Sequence, residues 1–417
     1  MENSEFLTES TWQEIALSDS QVNKLLELKS KLISSEFRVQ TESIAEAPAS
    51  IRVEKLRAAG KWRISIQNCV GVISLGDIQL VIQPKIPQDH FAYIAELSFG
   101  IPRVSSESIK LASGINFVEL LCSWFLDAVQ KVLQLDLVKG YSPVIRQQSV
   151  VRGRLIPGPT MRAWSKGNAT LTCGFDEYAY DSPINRAIVS AARFIARNAS
   201  ISKNTRKRAA LLVLMMPDLQ ECKLYELSGI DSPRLQIHRL AWELSLQVLK
   251  SESRSLNTGD KTMKSFLIYT PDLIEVGLRN LIESELREFG FVVKERRVIT
   301  GTQLSMTPDI VFYPNKNYWH NGRDIITGDI KYRVSTDTWH RPNLNQSIAF
   351  ANVFDAAGGF VINFGESKTA PKNLVIDGRT YAQFYWDFKN SDSPLIAMKQ
   401  MTENLRNWFQ QLSQPAK

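Results

Sequence analysis

Apolar and polar positions change their period along the chain, and the changes divide it into three stretches. Val22, Leu25, Leu26, Leu28 and Leu32 recur near helical spacing after the polar pair Ser18 and Asp19, which predicts a helix over 19–34. Within 36–86 the period shortens. Isoleucine and valine alternate through Trp62–Ile66, Val70–Leu75 and Ile78–Ile82, and Gly76-Asp77 supplies a turn between the last two. Residues 1–105 therefore read as a small, mainly β domain. A helical period returns over 115–138, 184–197, 205–216 and 233–250. Asp181-Ser-Pro183 provides a capping serine and a first-turn proline for the second of these helices. Only 146–154 looks extended there, so 106–255 reads as a mainly helical middle region. Ser251–Lys264 is polar and marks a boundary. Beyond it come a helix (271–289), strands (291–299, 307–313 and 324–333), a helix (342–356), a strand (359–364) and a last helix (394–412). That order predicts an α/β domain over 256–417 with a mixed sheet flanked by helices, and a multidomain α+β chain overall.

Composition narrows the function classes. With 417 residues, 44% hydrophobic and 22% charged, the chain can bury ordinary cores. The net charge of +7 permits nucleic-acid binding without demonstrating it. The densest basic cluster, Lys203, Arg206, Lys207 and Arg208, reads as a solvated helix face. Cys69, Cys122, Cys173 and Cys222 lie roughly fifty residues apart with no CxxC pair, which argues against a disulfide framework or zinc and for buried thiols in a reducing cytoplasm. Met1–Trp12 is polar and acidic, unlike a signal peptide, and no apolar run is long enough to span a membrane. His90, His238, His320 and His340 have no metal-ligand spacing. His320 and His340 flank the hairpin described next and read as loop histidines. No GxSxG or phosphate-binding GxxxxGK[ST] occurs, so any nucleotide hydrolysis belongs to a second polypeptide.

Chemistry concentrates in Thr307–Tyr313 and Ile325–Tyr332. Asp309 opens one apolar strand, and Asp329 and Lys331 stand two apart near the end of the next. Period two puts these last two on one face, about 6.6 Å apart along the strand, with Ile330 pointing the other way. Charges on so apolar a strand need partners. Mg²⁺, or Mn²⁺ in its place, takes hard oxygen ligands from one or two carboxylates plus water and substrate phosphate. Asp309 and Asp329 can supply these, with the Ile330 carbonyl as a third donor, and Lys331 is then placed to orient water and balance phosphate charge. A surface hairpin closed by an Asp–Lys salt bridge explains the same residues without any catalysis.

Pro308-Asp309 followed by Asp329-Ile-Lys331 resembles the motif of the PD-(D/E)xK nucleases. Gln346-Ser-Ile-Ala-Phe350 resembles the Q-x-x-x-Y element of their RecB-like branch, with Phe350 where tyrosine is usual. Glu275 matches the acidic residue on the first helix of such domains, which helps hold metal. The wider chain resembles the McrC family, on Leu80-Val-Ile-Gln-Pro-Lys-Ile86, Val151-Arg-Gly-Arg154, Asp176-Glu-Tyr with Ser182-Pro-Ile-Asn-Arg186, and the C-terminal set in order. The resemblance implies a restriction-endonuclease-like C-terminal domain and the DNA-cleaving subunit of a modification-dependent, 5-methylcytosine-specific system. It also implies an AAA+ GTPase hexamer as partner, which binds the GTP, accepts the N-terminal part of this chain as a docking domain and recognises the modified double-stranded DNA. A non-catalytic activator of such a ring, or a stand-alone nuclease of the same superfamily, would carry many of the same residues. Arg152, Arg154 and Lys85 fall inside these motifs with roles left open.

Overall fold

Two short strands that the apolar pattern does not announce, β1 (Asn3–Thr8) and β2 (Gln13–Ala16), precede the expected first helix, α1 (Asp19–Ile33). Val22, Leu25 and Leu28 line its buried side. The alternating residues then form β3 (Ser50–Lys55), β4 (Lys61–Gln67), β5 (Cys69–Ser74) and β6 (Ile78–Gln83). Leu75 N–H donates to the Ile78 carbonyl at 2.9 Å and closes the turn at Gly76-Asp77. A second helix, α2 (Gln88–Phe99), buries His90 through Ala95 without a break, so it carries no one-sided apolar stripe to betray it. The computed structural model describes residues 3–33, 50–57, 60–101, 117–217, 219–253, 265–299, 301, 303–315, 325–335, 339–365 and 373–413. The strand expectation over 36–49 lies outside them.

The middle of the chain contains α3 (Phe117–Leu135), β7 (Gly140–Gln148), β8 (Arg154–Leu155), α4 (Pro157–Ser165), β9 (Leu171–Ala179), α5 (Pro183–Arg197), α6 (Lys203–Met215), a 3-10 turn at Leu224–Leu227 and α7 (Gln236–Ser253). The α5 cap forms as the sequence implies, with Asn185 N–H donating to Ser182 Oγ at 3.3 Å and Pro183 in the first turn. The helices expected here are present, and an antiparallel sheet of order β7-β9-β8 stands beside them. Gly153 sits between β7 and β8 at φ 68°, where a Cβ would lie 2.5 Å from the Gly174 carbonyl oxygen, so Arg152-Gly-Arg154 requires its glycine.

The C-terminal stretch runs β10 (Phe266–Tyr269), α8 (Thr270–Glu285), β11 (Gly290–Val293), β12 (Arg297–Val298), β13 (Ser305–Met306), β14 (Ile310–Pro314), β15 (Ile326–Val334), α9 (Arg341–Val353), β16 (Gly358–Phe364), β17 (Leu374–Ile376), β18 (Arg379–Trp386) and α10 (Pro394–Ser413). Its six-stranded sheet has the order β11-β14-β15-β16-β18-β17. Pairing is antiparallel from β11 to β15, parallel from β15 through β18, and antiparallel again at β17, so the sheet is mixed as expected. Each face has its own core. Val311 and Tyr381 pack with Ala351 and Phe354 at and just beyond the end of α9, whereas Phe312, Phe360 and Phe384 meet Trp408 and Phe409 of α10.

Two compact units result: residues 1–117 together with 256–417, and residues 118–255. The segments 1–105 and 256–417, separated in the sequence reading, share one unit. Strand β10 pairs antiparallel with β5 and completes the sheet β1-β6-β5-β10. All four β10 residues are buried, so no alternation marks it as a strand. Helices α2 and α8 also pack together. Their approach depends on Gly277, where a Cβ would lie 2.3 Å from the Ile94 carbonyl oxygen. Gly277→Ala should lose about 1–3 kcal/mol in denaturant unfolding, although alanine adds roughly 1 kcal/mol of helix propensity. A stabilised variant would contradict this close packing. Among the described residues, no helix is long and apolar enough to cross a membrane.

Candidate active site

Strands β14 and β15 pair antiparallel with Ile310 opposite Gly328. One step further along that register, Asp309 faces Asp329. Both are buried, Asp309 to 8% exposure and Asp329 to 2%. A glycine at 328 is part of the reason the pair fits, because a Cβ there would run into the Phe360 ring at 2.3 Å. Asp329 and Lys331 share the face of β15 that also carries Thr327, as period two requires. The Thr327 hydroxyl and Ser347 of α9 both lie close to Gly359, so α9 covers this face.

Asp309 Oδ2 accepts a hydrogen bond from the Ile330 backbone N–H at 2.7 Å, which locks its carboxylate to the neighbouring strand. Lys331 Nζ stands 2.9 Å from Asp329 Oδ2 as an ion pair, without hydrogen-bond alignment. Burial pushes the Asp309 carboxyl well above the ordinary carboxylate range. The charges of Asp329 and Glu275 push it further, and the Ile330 N–H and Lys331 pull it back. Negative charge is thus crowded into a buried site. The regular ladder between β15 and β16 shifts register between Ile330 and Val334, at the segment carrying Lys331.

Glu275 lies on α8, where its carboxylate pairs with Arg279 and with Lys294 Nζ at 2.6 Å. Arg279 Nε also donates to the Asp309 carbonyl oxygen at 2.7 Å and so ties α8 to the start of β14. Neither Arg279 nor Lys294 was singled out by the sequence. Arg279 could have been found from its i,i+4 spacing to Glu275, whereas Lys294 has no comparable signal. Gln346 is half-buried on α9, and Phe350 is buried. His340 stands at the N-cap position of α9 without a side-chain capping hydrogen bond, its Nδ1 3.4 Å from Asn343 Oδ1, and His320 lies outside the described residues. In the other unit, the Arg152 guanidinium rests 4.2 Å from the Phe175 ring centroid and Arg154 is exposed.

The donor set fits a hard divalent cation of modest ligand count. Two carboxylates meet across a strand pair, and their crowding is relieved by positive charge. Among the described residues no three His, Cys, Asp or Glu side chains are arranged to hold a metal ion together. Glu275 Oε1 is engaged by both Arg279 and Lys294, and the Glu275 charge adds to the negative charge around Asp309.

A family model described as McrBC 5-methylcytosine restriction system component matches residues 64–356. No curated protein matches the chain. Among solved structures, the chain is similar to one in a refined half-complex from the tetradecameric assembly of Thermococcus gammatolerans McrB AAA+ hexamers with bound McrC. Identity is 17% and the TM-score 0.57, covering 97% of this chain and 100% of that one. A chain of the Thermococcus gammatolerans McrBC complex, solved by cryo-EM, matches at 17% identity and a TM-score of 0.44, over 68% of this chain and 88% of that one. At such identity the first likeness speaks for the fold.

Proposed function

This chain belongs to the McrBC 5-methylcytosine restriction system component family, and on that premise we propose that it is the DNA-cleaving subunit of a GTP-dependent, modification-dependent restriction system. Its C-terminal sheet is read as a PD-(D/E)xK nuclease domain. The observation that carries this reading is the buried pair Asp309 and Asp329, facing each other with Lys331 at 2.9 Å from Asp329 and with the Asp309 carboxyl held high first by burial and then by the charges of Asp329 and Glu275. A solvated hairpin salt bridge would not bury two carboxylates together, because burial of like charges is costly without a compensating cation.

Asp309 and Asp329 would hold Mg²⁺, or Mn²⁺ in its place, with the Ile330 carbonyl as a further donor. When bound, the ion would lower the pKa of water and offset charge developing on the scissile phosphate. Lys331 supplies a positive charge on the same face, where it orients the attacking water and stabilises the phosphoryl oxygens. Glu275, fixed by Arg279 and Lys294, shapes the local field. Gln346 presents an amide from the helix that covers this face. Phosphate contacts from arginines and lysines would hold double-stranded DNA without reading its sequence.

The solved relative is described with McrB AAA+ hexamers, which supports an AAA+ GTPase ring as the partner. The ring would carry GTP hydrolysis, since this chain lacks a GxxxxGK[ST] loop. The test is cleavage of long cytosine-methylated DNA by this chain mixed with the AAA+ protein, Mg²⁺ and GTP. Cutting that needs both proteins and GTP is expected. Stimulated GTP hydrolysis with intact DNA would instead make the chain an activator of the ring, and cutting by the chain alone would make it a stand-alone nuclease.

A further inference from the structure

Tyr332 follows Lys331 on β15 and points to the reverse face, away from Asp329 and Lys331. It is buried against the rings of Phe364, at 5.3 Å between centroids, and Phe91, at 6.4 Å. Three groups from elsewhere in the chain converge on it. The Lys85 ammonium lies 3.8 Å from the centre of its ring. The Glu9 carboxylate, fully buried in the turn after β1, lies beside its hydroxyl, although neither the Tyr332 hydroxyl nor Glu9 Oε2 completes a hydrogen bond among the described residues. The Lys85 backbone N–H faces both the Glu9 carboxylate and the Tyr332 hydroxyl. The Thr270 hydroxyl at the start of α8 donates to Glu9 Oε1. Glu9 is itself fixed in place, since its N–H donates to the Gln83 carbonyl at 2.8 Å, two residues before Lys85. Burial raises the Glu9 carboxyl, and the Lys85 charge is the largest influence opposing that.

A buried carboxylate, an ammonium and a phenol gathered on one side chain cost more than an apolar core of the same volume. Their place in the fold gives the reason. Between Ile330 and Val334 the ladder from β15 to β16 loses its register, so backbone pairing alone does not fix Lys331. The side chain beside it, Tyr332, is the handle by which the strand is held there.

We propose that Glu9 and Lys85 are positioning residues for Lys331: by gripping Tyr332 on the reverse face of β15 they set where the Lys331 ammonium stands. The inference rests on the reading of Asp309, Asp329 and Lys331 as a cleavage centre. It assigns a purpose to Lys85 of the Pro-Lys-Ile86 segment, whose side chain serves β15 through cation–π attraction.

The test uses the full chain and two readouts. The first is acetylation of Lys331 by an amine-reactive ester, measured by mass spectrometry against exposed Lys399, and it needs neither metal nor DNA. Lys85→Met should change the Lys331 to Lys399 labelling ratio by about threefold or more, and Lys85→Arg should restore it. Glu9→Gln keeps the shape of the side chain and should shift the ratio in the same direction, and it decides the matter if Lys85→Met does not fold. The second readout is DNA cleavage with the AAA+ partner, where kcat should fall about tenfold or more with KM unchanged. An unchanged labelling ratio in both Lys85→Met and Glu9→Gln would overturn the proposal, as would failure of Lys85→Arg to restore it. If the wild-type chain cuts no better than Asp329→Ala, the nuclease reading fails, and the labelling readout still decides whether Tyr332 is gripped for the sake of Lys331.

Discussion

Lys331→Ala is expected to lower the rate of DNA cleavage by roughly a thousandfold while leaving assembly with the AAA+ partner intact. Two effects combine. The variant loses the ammonium that would orient water and balance phosphate charge. It also leaves Asp329 without the cation 2.9 Å from its Oδ2, in a site where the Asp329 side chain is 3% exposed. The second effect alone could weaken the fold, so thermal unfolding must be measured beside cleavage. A folded variant that assembles and hydrolyses GTP with its partner but does not cut places the loss in the chemical step. Lys331→Ala cutting at the wild-type rate would remove Lys331 from the site.

Asp309→Asn should abolish cleavage and yet stabilise the metal-free chain by about 0.5–2 kcal/mol at neutral pH. The asparagine oxygen can still accept from the Ile330 N–H, while the crowding with Asp329 and Glu275 disappears. The pH dependence has a definite sign. A carboxyl whose folded-state pKa lies above its ordinary value contributes its stability at low pH and loses it as pH rises through the raised value. The variant should therefore exceed the wild type at neutral pH, and the difference should shrink as the solution is acidified towards the ordinary carboxylate range. Mg²⁺ should raise the unfolding temperature of the wild type and leave Asp309→Asn nearly unmoved, because a ligand stabilises only the fold that binds it. Equal stability of the two proteins across pH would mean that Asp309 is not under the strain described.

The sequence revealed most clearly what depends on local period. Helices with a one-sided apolar stripe, such as α1 and α5, lie within a residue or two of their expected ends, and the Ser182 cap is read directly from Asp-Ser-Pro. The pair β14–β15 was legible because its charged residues interrupt apolar strands at fixed spacing. Elements buried on every side were not. Helix α2 and strand β10 carry unbroken buried runs, so periodicity cannot distinguish helix from strand there. Their pairing with α8 and β5 is what draws the first hundred residues and the last stretch into one unit, and such long-range partners leave no local trace. Within the site, Asp309, Asp329 and Lys331 were visible as a motif. Their burial, the Arg279 link and the lapse of the β15–β16 ladder arise only from packing.

The most direct test of the central claim compares wild type with Asp329→Ala, each assembled with the AAA+ partner on long methylated DNA with Mg²⁺ and GTP. Double-strand cutting by the wild type, absent in Asp329→Ala while GTP hydrolysis is the same in both, is the expected result. Equal cutting by the two proteins would contradict the assignment of the Asp309, Asp329 and Lys331 cluster as the cleavage centre.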